Sequence, residues 1–175
     1  MSQWIIDPDH SVAAFVVRHM MVANVRGQFN KITGTIDFEP DSIGKSLVEV
    51  VIDASGIYTG IQKRDDHLRS PDFLDVEQYP HIHFKSTDVA GMGGKFMIAG
   101  NLTIHGITKP IILEAAFTGP EKSPYGETSM GFTAKGAVNR EDYNIMWNVL
   151  LENGGVMVGK EIQIVLDVEA DLQEQ

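Results

Sequence analysis

The sequence predicts an all-β fold, an antiparallel barrel of eight strands with short helical excursions, and three observations carry that prediction. Apolar residues recur with a period of two along almost the whole chain. Turn-rich segments separate the runs: "GMGG" at 91–94, "HGITKP" at 105–110 and "GPEKSPYGE" at 119–127 read as hairpin connections. Each run also has one consistently apolar face. Such strands bury that face by closing into a barrel, which removes the sheet edges, or by forming a two-sheet sandwich; the barrel is the expectation here.

Taken in order, the first strand spans 11–19, with Phe15 and Val17 inward and His19 continuing that phase where the strand ends. The second, 28–39, turns Ile32, Ile36 and Phe38 inward; the third, 47–54, Val48, Val50 and Ile52. Between His19 and Gly27 a short connection is expected. The fourth strand, 81–89, buries Ile82 and Phe84, and the fifth, 95–104, buries Phe96, Ile98, Leu102 and Ile104. Strands at 110–119, 128–138 and 161–170 add Leu113 and Phe117, Phe132 and Val138, and Ile162, Ile164, Leu166 and Val168. Two connections carry helical signals. "GIQKRDDHLRSPDF" predicts a helical turn ended by Ser70-Pro71, and "DYNIMWNVLLENGG" a short helix ended by Asn-Gly-Gly.

An eight-stranded barrel is either filled by its own side chains or wide enough for one small ligand. Gly34, Gly100, Ala115, Ala134 and Gly136 fall on the inward phase and suggest a lumen, although glycine also eases bends at barrel corners. No inward position carries Lys, Asp or Glu, so a ligand there would be apolar and elongated.

Composition narrows the function. A chain of 175 residues suits a single domain, 1–175. The formal charge of −10 and the lack of a basic stripe argue against a nucleic-acid partner. Without cysteine there is no disulfide frame, thiolate metal site or cysteine nucleophile. "MSQWIIDPDHS" shows neither a signal peptide nor a membrane span, and a cytoplasmic location is expected.

"HLRSPDFLDVEQYPHIHF", 67–84, is the densest cluster of potential ligands. Strand alternation puts His81 and His83 on the outer face with Lys85 and Thr87, because Ile82 and Phe84 must be inside. A metal site there would need a third ligand from His67 or Asp66; a solvated outer face is the expectation. "GGVMVGKE" at 154–161 mimics a phosphate loop but has Glu161 where Ser or Thr must reach magnesium, and a strand follows it. No Gly-x-Ser-x-Gly elbow occurs. His19 either satisfies a backbone carbonyl or meets a ligand's polar end at the mouth. Arg140, Trp147 and Asn148 form a comparable group, with helix capping and plugging of the barrel end as the other role.

Four segments together resemble the YceI-like family of polyisoprenoid-binding, lipocalin-like proteins: "DPDHSVAAFVVRHMMVANVRGQF", "RDDHLRSPDFLDVEQYPHIHFKST", "GNLTIHGITKPI" and "VNREDYNIMWN". The resemblance implies an extended lipocalin-like barrel, commonly a homodimer, that holds a long isoprenoid, such as a quinone tail or polyprenyl compound, without catalysis and without a cofactor. The expected ligand wall is Phe15, Val17, Phe38, Val50, Ile52, Phe84, Ile98, Leu102, Leu113, Phe132 and Ala134, joined by His19, His67, Arg140, Trp147 and Asn148. His67 fits the family's Arg-Asp-x-His-Leu stretch, whereas His81 and His83 fall where the family is expected to vary. The alternatives are a metal-dependent enzyme using His67, His81 and His83, and a barrel packed solid that serves as an interaction module.

Overall fold

The computed structural model describes residues 1–92 and 94–173. Its first strands are two arms of one bent path. β1 (Ser2–Ile6) and β2 (Val12–His19) are separated by a 3-10 turn at Pro8–His10, where the Asp7 carboxylate accepts the Asp9 N–H at 2.8 Å. Both arms lie antiparallel along β11 (Val158–Leu172), β1 against its C-terminal end and β2 against the rest. The chain then returns as β3 (Ala23–Phe29) on β2 and β4 (Ile32–Phe38) on β1. β5 (Leu47–Asp53) and β6 (Ile57–Tyr58) follow β4 and β3 in the same way. Beyond them come β7 (His81–Met92), β8 (Lys95–Ile104), β9 (Ile107–Lys122) and β10 (Thr128–Asn139), each antiparallel to the next, and β10 pairs with β11. The ring β1-β4-β5-β7-β8-β9-β10-β11 therefore closes through β1 and β11 as an eight-stranded antiparallel barrel.

The strands from β7 on fall where period two places them, but β1, most of β3 and the short β6 were not expected, and the expected single strand 28–39 is broken at residues 30–31 into the end of β3 and β4, which pair with different neighbours. β1 buries Trp4 and Ile6, but its exposed Ile5 is apolar too, so its five residues show no apolar–polar alternation. In β3, Gly27 occupies an inward position: a Cβ there would stand 2.3 Å from Phe15 Cζ, so a ring from the neighbouring strand fills the place of its side chain. Local alternation cannot register a side chain supplied by another strand.

The expected connection at 105–110 shrinks to a two-residue turn. His105 and Gly106 both have positive φ, 52° and 73°, and Ile104 pairs directly with Ile107. The "GMGG" turn joins paired strands, with Met92 opposite Lys95; its Gly93 lies outside the described residues.

α1 (Gln62–Arg69) ends as expected at Ser70, whose hydroxyl donates to the His67 carbonyl at 2.6 Å. The second expected helix does not form. A 3-10 turn at Arg140–Tyr143 stops at Asn144, which is left-handed at φ 56°, and the chain runs on without helix to a single bridge between Leu150 and Val156. The cause is visible in the carbonyls of Ile145 and Trp147. Both accept hydrogen bonds from the Arg140 guanidinium, so they are turned away from any helical i+4 partner. Among the described residues no helix is long and apolar enough to cross a membrane.

Aromatic packing closes one end of the barrel. The Phe38 ring meets Phe117 and Phe132 edge-on at centroid distances of 4.9 and 5.4 Å, and stacks on Phe96 at 6.0 Å. Such offset and edge contacts add about 0.5–1.5 kcal/mol per pair beyond the apolar area they bury.

Candidate functional site: the barrel lumen

Above the aromatic plug the barrel is not packed solid. A cavity of about 240 Å³ runs toward the opposite end, where α1, the segment after it and the 3-10 turn contribute Leu68, Phe73, Leu74, Tyr143 and Ile145. Wall residues Ile36, Val50, Ile52, Ile82, Phe84 and Ile98 are buried, whereas Phe15 and Val17 on β2, Phe29 on β3 and Ile162 on β11 are only half-buried. The wall is thus least covered along β2, β3 and β11.

Of the expected ligand residues, Phe15, Val17, Phe38, Val50, Ile52, Phe84, Ile98, Leu102, Leu113, Phe132, Ala134 and Arg140 stand on this wall. His19, His67, Trp147 and Asn148 do not. His19 is half-buried at the end of β2, one step beyond the lined region. His67 bonds Asp72 Oδ2 through Nε2 at 2.8 Å and meets the rings of Phe73 and Trp147 edge-on at 5.0 and 4.8 Å. It props Trp147 against Phe73, and Phe73 is the member of this aromatic group that reaches the cavity. Asn148 ties its own loop to β11, donating to the Val158 carbonyl at 2.8 Å and accepting the Val158 N–H at 3.0 Å.

The small inward residues divide into two groups. Ala115 and Ala134 face each other across β9 and β10 and line the cavity. The three glycines do not leave space. A Cβ on Gly100 would lie 2.4 Å from Phe84 Cζ, one on Gly136 2.8 Å from Leu113 Cδ2, and one on Gly34 2.1 Å from the Glu49 carbonyl oxygen. They are glycines because a neighbouring ring, side chain or backbone already fills the position.

Arg140 is the charged group of the wall. It is 4% exposed, and four of its five N–H donors go to main-chain carbonyls: Nε to Gly159 at 2.8 Å, Nη1 to Ile145 and Trp147 at 2.7 and 3.0 Å, and Nη2 to Val158 at 3.2 Å. Burial pulls its pKa below the ordinary arginine value, with Glu141 opposing. Tyr143 is 1% exposed, and burial pushes its phenol up to about 12. Its Oη has no hydrogen-bond partner among the described residues. Removing a buried hydroxyl without a partner relieves a desolvation cost, so Tyr143→Phe is expected to raise the stability of the ligand-free protein by about 1 kcal/mol in urea unfolding.

The histidine cluster disperses. His81 and His83 lie on the outer face of β7 as expected, with His83 Nε2 3.1 Å from Glu49 Oε1. They do not converge with His67. The one set of three potential ligands within 4.8 Å of one another among the described residues is Asp7, His10 and Glu169. There the Asp7 carboxylate, by hydrogen bond first, raises the His10 pKa, and His10 lowers that of Asp7.

A family model for the YceI-like domain matches residues 4–170. The chain belongs to the YceI-like family. A UPF0312 protein of Yersinia pestis is 32% identical over 160 residues, covering 91% of this chain and 80% of that protein. The crystal structure of a Campylobacter jejuni YceI protein is similar at a TM-score of 0.74 with 29% identity, covering 90% of each chain. A polyisoprenoid-binding domain from Saccharophagus degradans shares the fold at a TM-score of 0.73 with 14% identity, covering 97% of this chain and 98% of that one.

In this YceI-like barrel the "RDDHLR" stretch is a fastening. Buried Asp65 accepts the N–H of Thr59 at 2.9 Å, and Arg64 donates to the Thr59 hydroxyl and carbonyl at 2.7 and 2.8 Å. Arg69 holds the carbonyls of Ser55 and Ile57, each at 2.8 Å. These contacts press α1 onto the barrel end and deliver Leu68, Phe73 and Leu74 to the lumen. Sequence reasoning missed those three, and Tyr143 and Ile145 as well, because they lie outside the strands, where no alternation marks an inward face.

Proposed function

We propose that this protein binds one long apolar chain of the isoprenoid class in its lumen, and carries or stores it unchanged. The observation that supports the reading is the wall itself: predominantly apolar from the Phe38 plug to Val17 and Val158, with Arg140 as its one charged side chain and no Lys, Asp or Glu along it. The fold shared with a domain named for polyisoprenoid binding is consistent with this. A binding role without catalysis is supported by the state of the polar groups, since Arg140 is engaged by four main-chain carbonyl bonds and Tyr143 Oη has no hydrogen-bond partner among the described residues. The working form is proposed to be a homodimer, which light scattering would show as twice the 19.3 kDa chain mass.

The head group should be neutral, a quinone or alcohol. Arg64, Arg69 and Arg140 each donate to protein oxygens, and a chain of net charge −10 repels a diphosphate. Competition between matched tails ending in hydroxyl or diphosphate is the experiment. Hydroxyl-ended tails should bind at least as well, with affinity rising with tail length until the lumen is full. A hundredfold preference for diphosphate, or affinity independent of tail length, would contradict the proposal.

A further inference from the structure

The β2–β3 turn departs from two rules at once. Met20 and Met21 have φ of 51° and 61°, the left-handed region that such a turn usually gives to Asn or Gly because L side chains are strained there. Both are also exposed, and Val22 beside them is 79% exposed. Neither backbone preference nor core packing accounts for three apolar residues at this tip. A second loop joins it. The Met20 N–H donates to the Met157 carbonyl at 2.7 Å, and the Met21 sulfur lies over Gly155, 2.7 Å from where a Cβ would stand. That loop also exposes Val149 and Leu150, so the two form one apolar projection.

Its charge is unlike the rest of the molecule. The chain carries −10, yet no Asp or Glu occurs between Asp9 and Asp37, a stretch that holds Arg18, Arg26 and Lys31. Arg18 Nη2 donates to the Met21 carbonyl at 3.3 Å, which places a cation directly behind the tip, and Arg26 is exposed farther along β3. Among the described residues neither arginine forms an ion pair with a carboxylate. In the facing segment 144–157 the acidic residue is Glu152 alone. Just below the tip, Val17 and Val158 line the cavity, and Val158 pairs with His19. The lumen wall therefore ends next to the projection, with His19 between them.

We infer that this projection is a membrane-docking tip, which inserts Met20, Met21, Val22 and Leu150 shallowly into an anionic lipid bilayer and keeps Arg18 and Arg26 at headgroup level. Apolar side chains ahead of a basic belt combine burial in the acyl boundary with attraction to anionic lipid. Methionine's flexible, polarizable side chain suits an irregular surface. The inference rests on the proposed lumen ligand only for its purpose, since a water-insoluble chain must be collected from or delivered to a membrane. Docking itself needs no ligand.

The test is flotation of the delipidated full chain with phosphatidylcholine vesicles, with and without phosphatidylglycerol. Wild type should partition onto the anionic vesicles at least about tenfold more than onto the neutral ones, and less so as salt rises. The double variant Met20→Asn, Met21→Gly gives the turn the residues its geometry favours, so its Tm should hold or rise while partitioning falls at least about tenfold. Arg18→Gln with Arg26→Gln should lose about fivefold per arginine on anionic vesicles and keep the binding to neutral ones. No isoprenoid is present, so these results stand apart from the fate of the lumen reading. Wild type that does not float, or a methionine variant that floats like wild type, would overturn the inference. A methionine variant that turns a dimer into a monomer would also overturn it, because the tip would then be a contact between copies of this chain.

Discussion

Arg140→Ala is expected to destabilise the protein by about 3–5 kcal/mol, measured by urea unfolding of the ligand-free form. The guanidinium satisfies the carbonyls of Ile145, Trp147, Val158 and Gly159 at once, and no other side chain hydrogen bond joins Ile145 or Trp147 to the barrel among the described residues. Truncation leaves the Ile145, Trp147 and Gly159 carbonyls without this donor in or near an apolar end of the barrel, while Val158 keeps the Asn148 amide, and each buried carbonyl without a partner costs about 1–3 kcal/mol, reduced where water can enter. Lysine should recover only part of the loss, because an ammonium is a point charge with three donors and cannot reproduce a planar fork. Trp147, released from its carbonyl anchor, should shift its fluorescence to the red. A loss below about 1 kcal/mol would mean that the Asn148 and Met20 contacts, rather than Arg140, hold the 145–158 segment.

Ala134→Phe should lower the affinity for a long isoprenoid by at least about a hundredfold, because the ring takes volume that the tail must occupy. Ala134 sits opposite Ala115 on β9 and Leu166 on β11, on the cavity wall. In a filled core the same change would overpack and cost about 1–3 kcal/mol or more. Here the added ring enters existing space, so the unfolding free energy of the delipidated protein should change by less than about 1 kcal/mol. The pairing of outcomes matters: lost binding with retained stability points to a lumen, whereas retained binding contradicts it.

Much of the fold was legible because strand alternation is local. Ile82 and Phe84 must share a face whatever lies around them, and with that face inside, His81 and His83 were placed outside correctly. The end of α1 at Ser70-Pro71 was equally local. Failures came where a distant group decides. Gly100 and Gly136 looked like empty inward positions, but each is overlaid by a side chain from an adjacent strand: Phe84 and Leu113. The segment after Asn144 had helical spacing, yet a single guanidinium five residues before Ile145 captures the carbonyls that a helix would need. The site divides in the same way. Wall residues on strands could be read from their phase. His67, Trp147 and Asn148 were chosen for their chemistry, and the structure gives that chemistry to bracing the barrel end rather than lining the lumen.

The central claim, a lumen that holds a neutral isoprenoid, is tested most directly by extracting the purified full chain with organic solvent and identifying what is released by mass spectrometry. Wild type is predicted to yield a long neutral isoprenoid in an amount approaching one per lumen, and Ala134→Phe purified in parallel to yield little or none. Wild type free of any long apolar chain, or the same compound recovered equally from Ala134→Phe, would contradict the account.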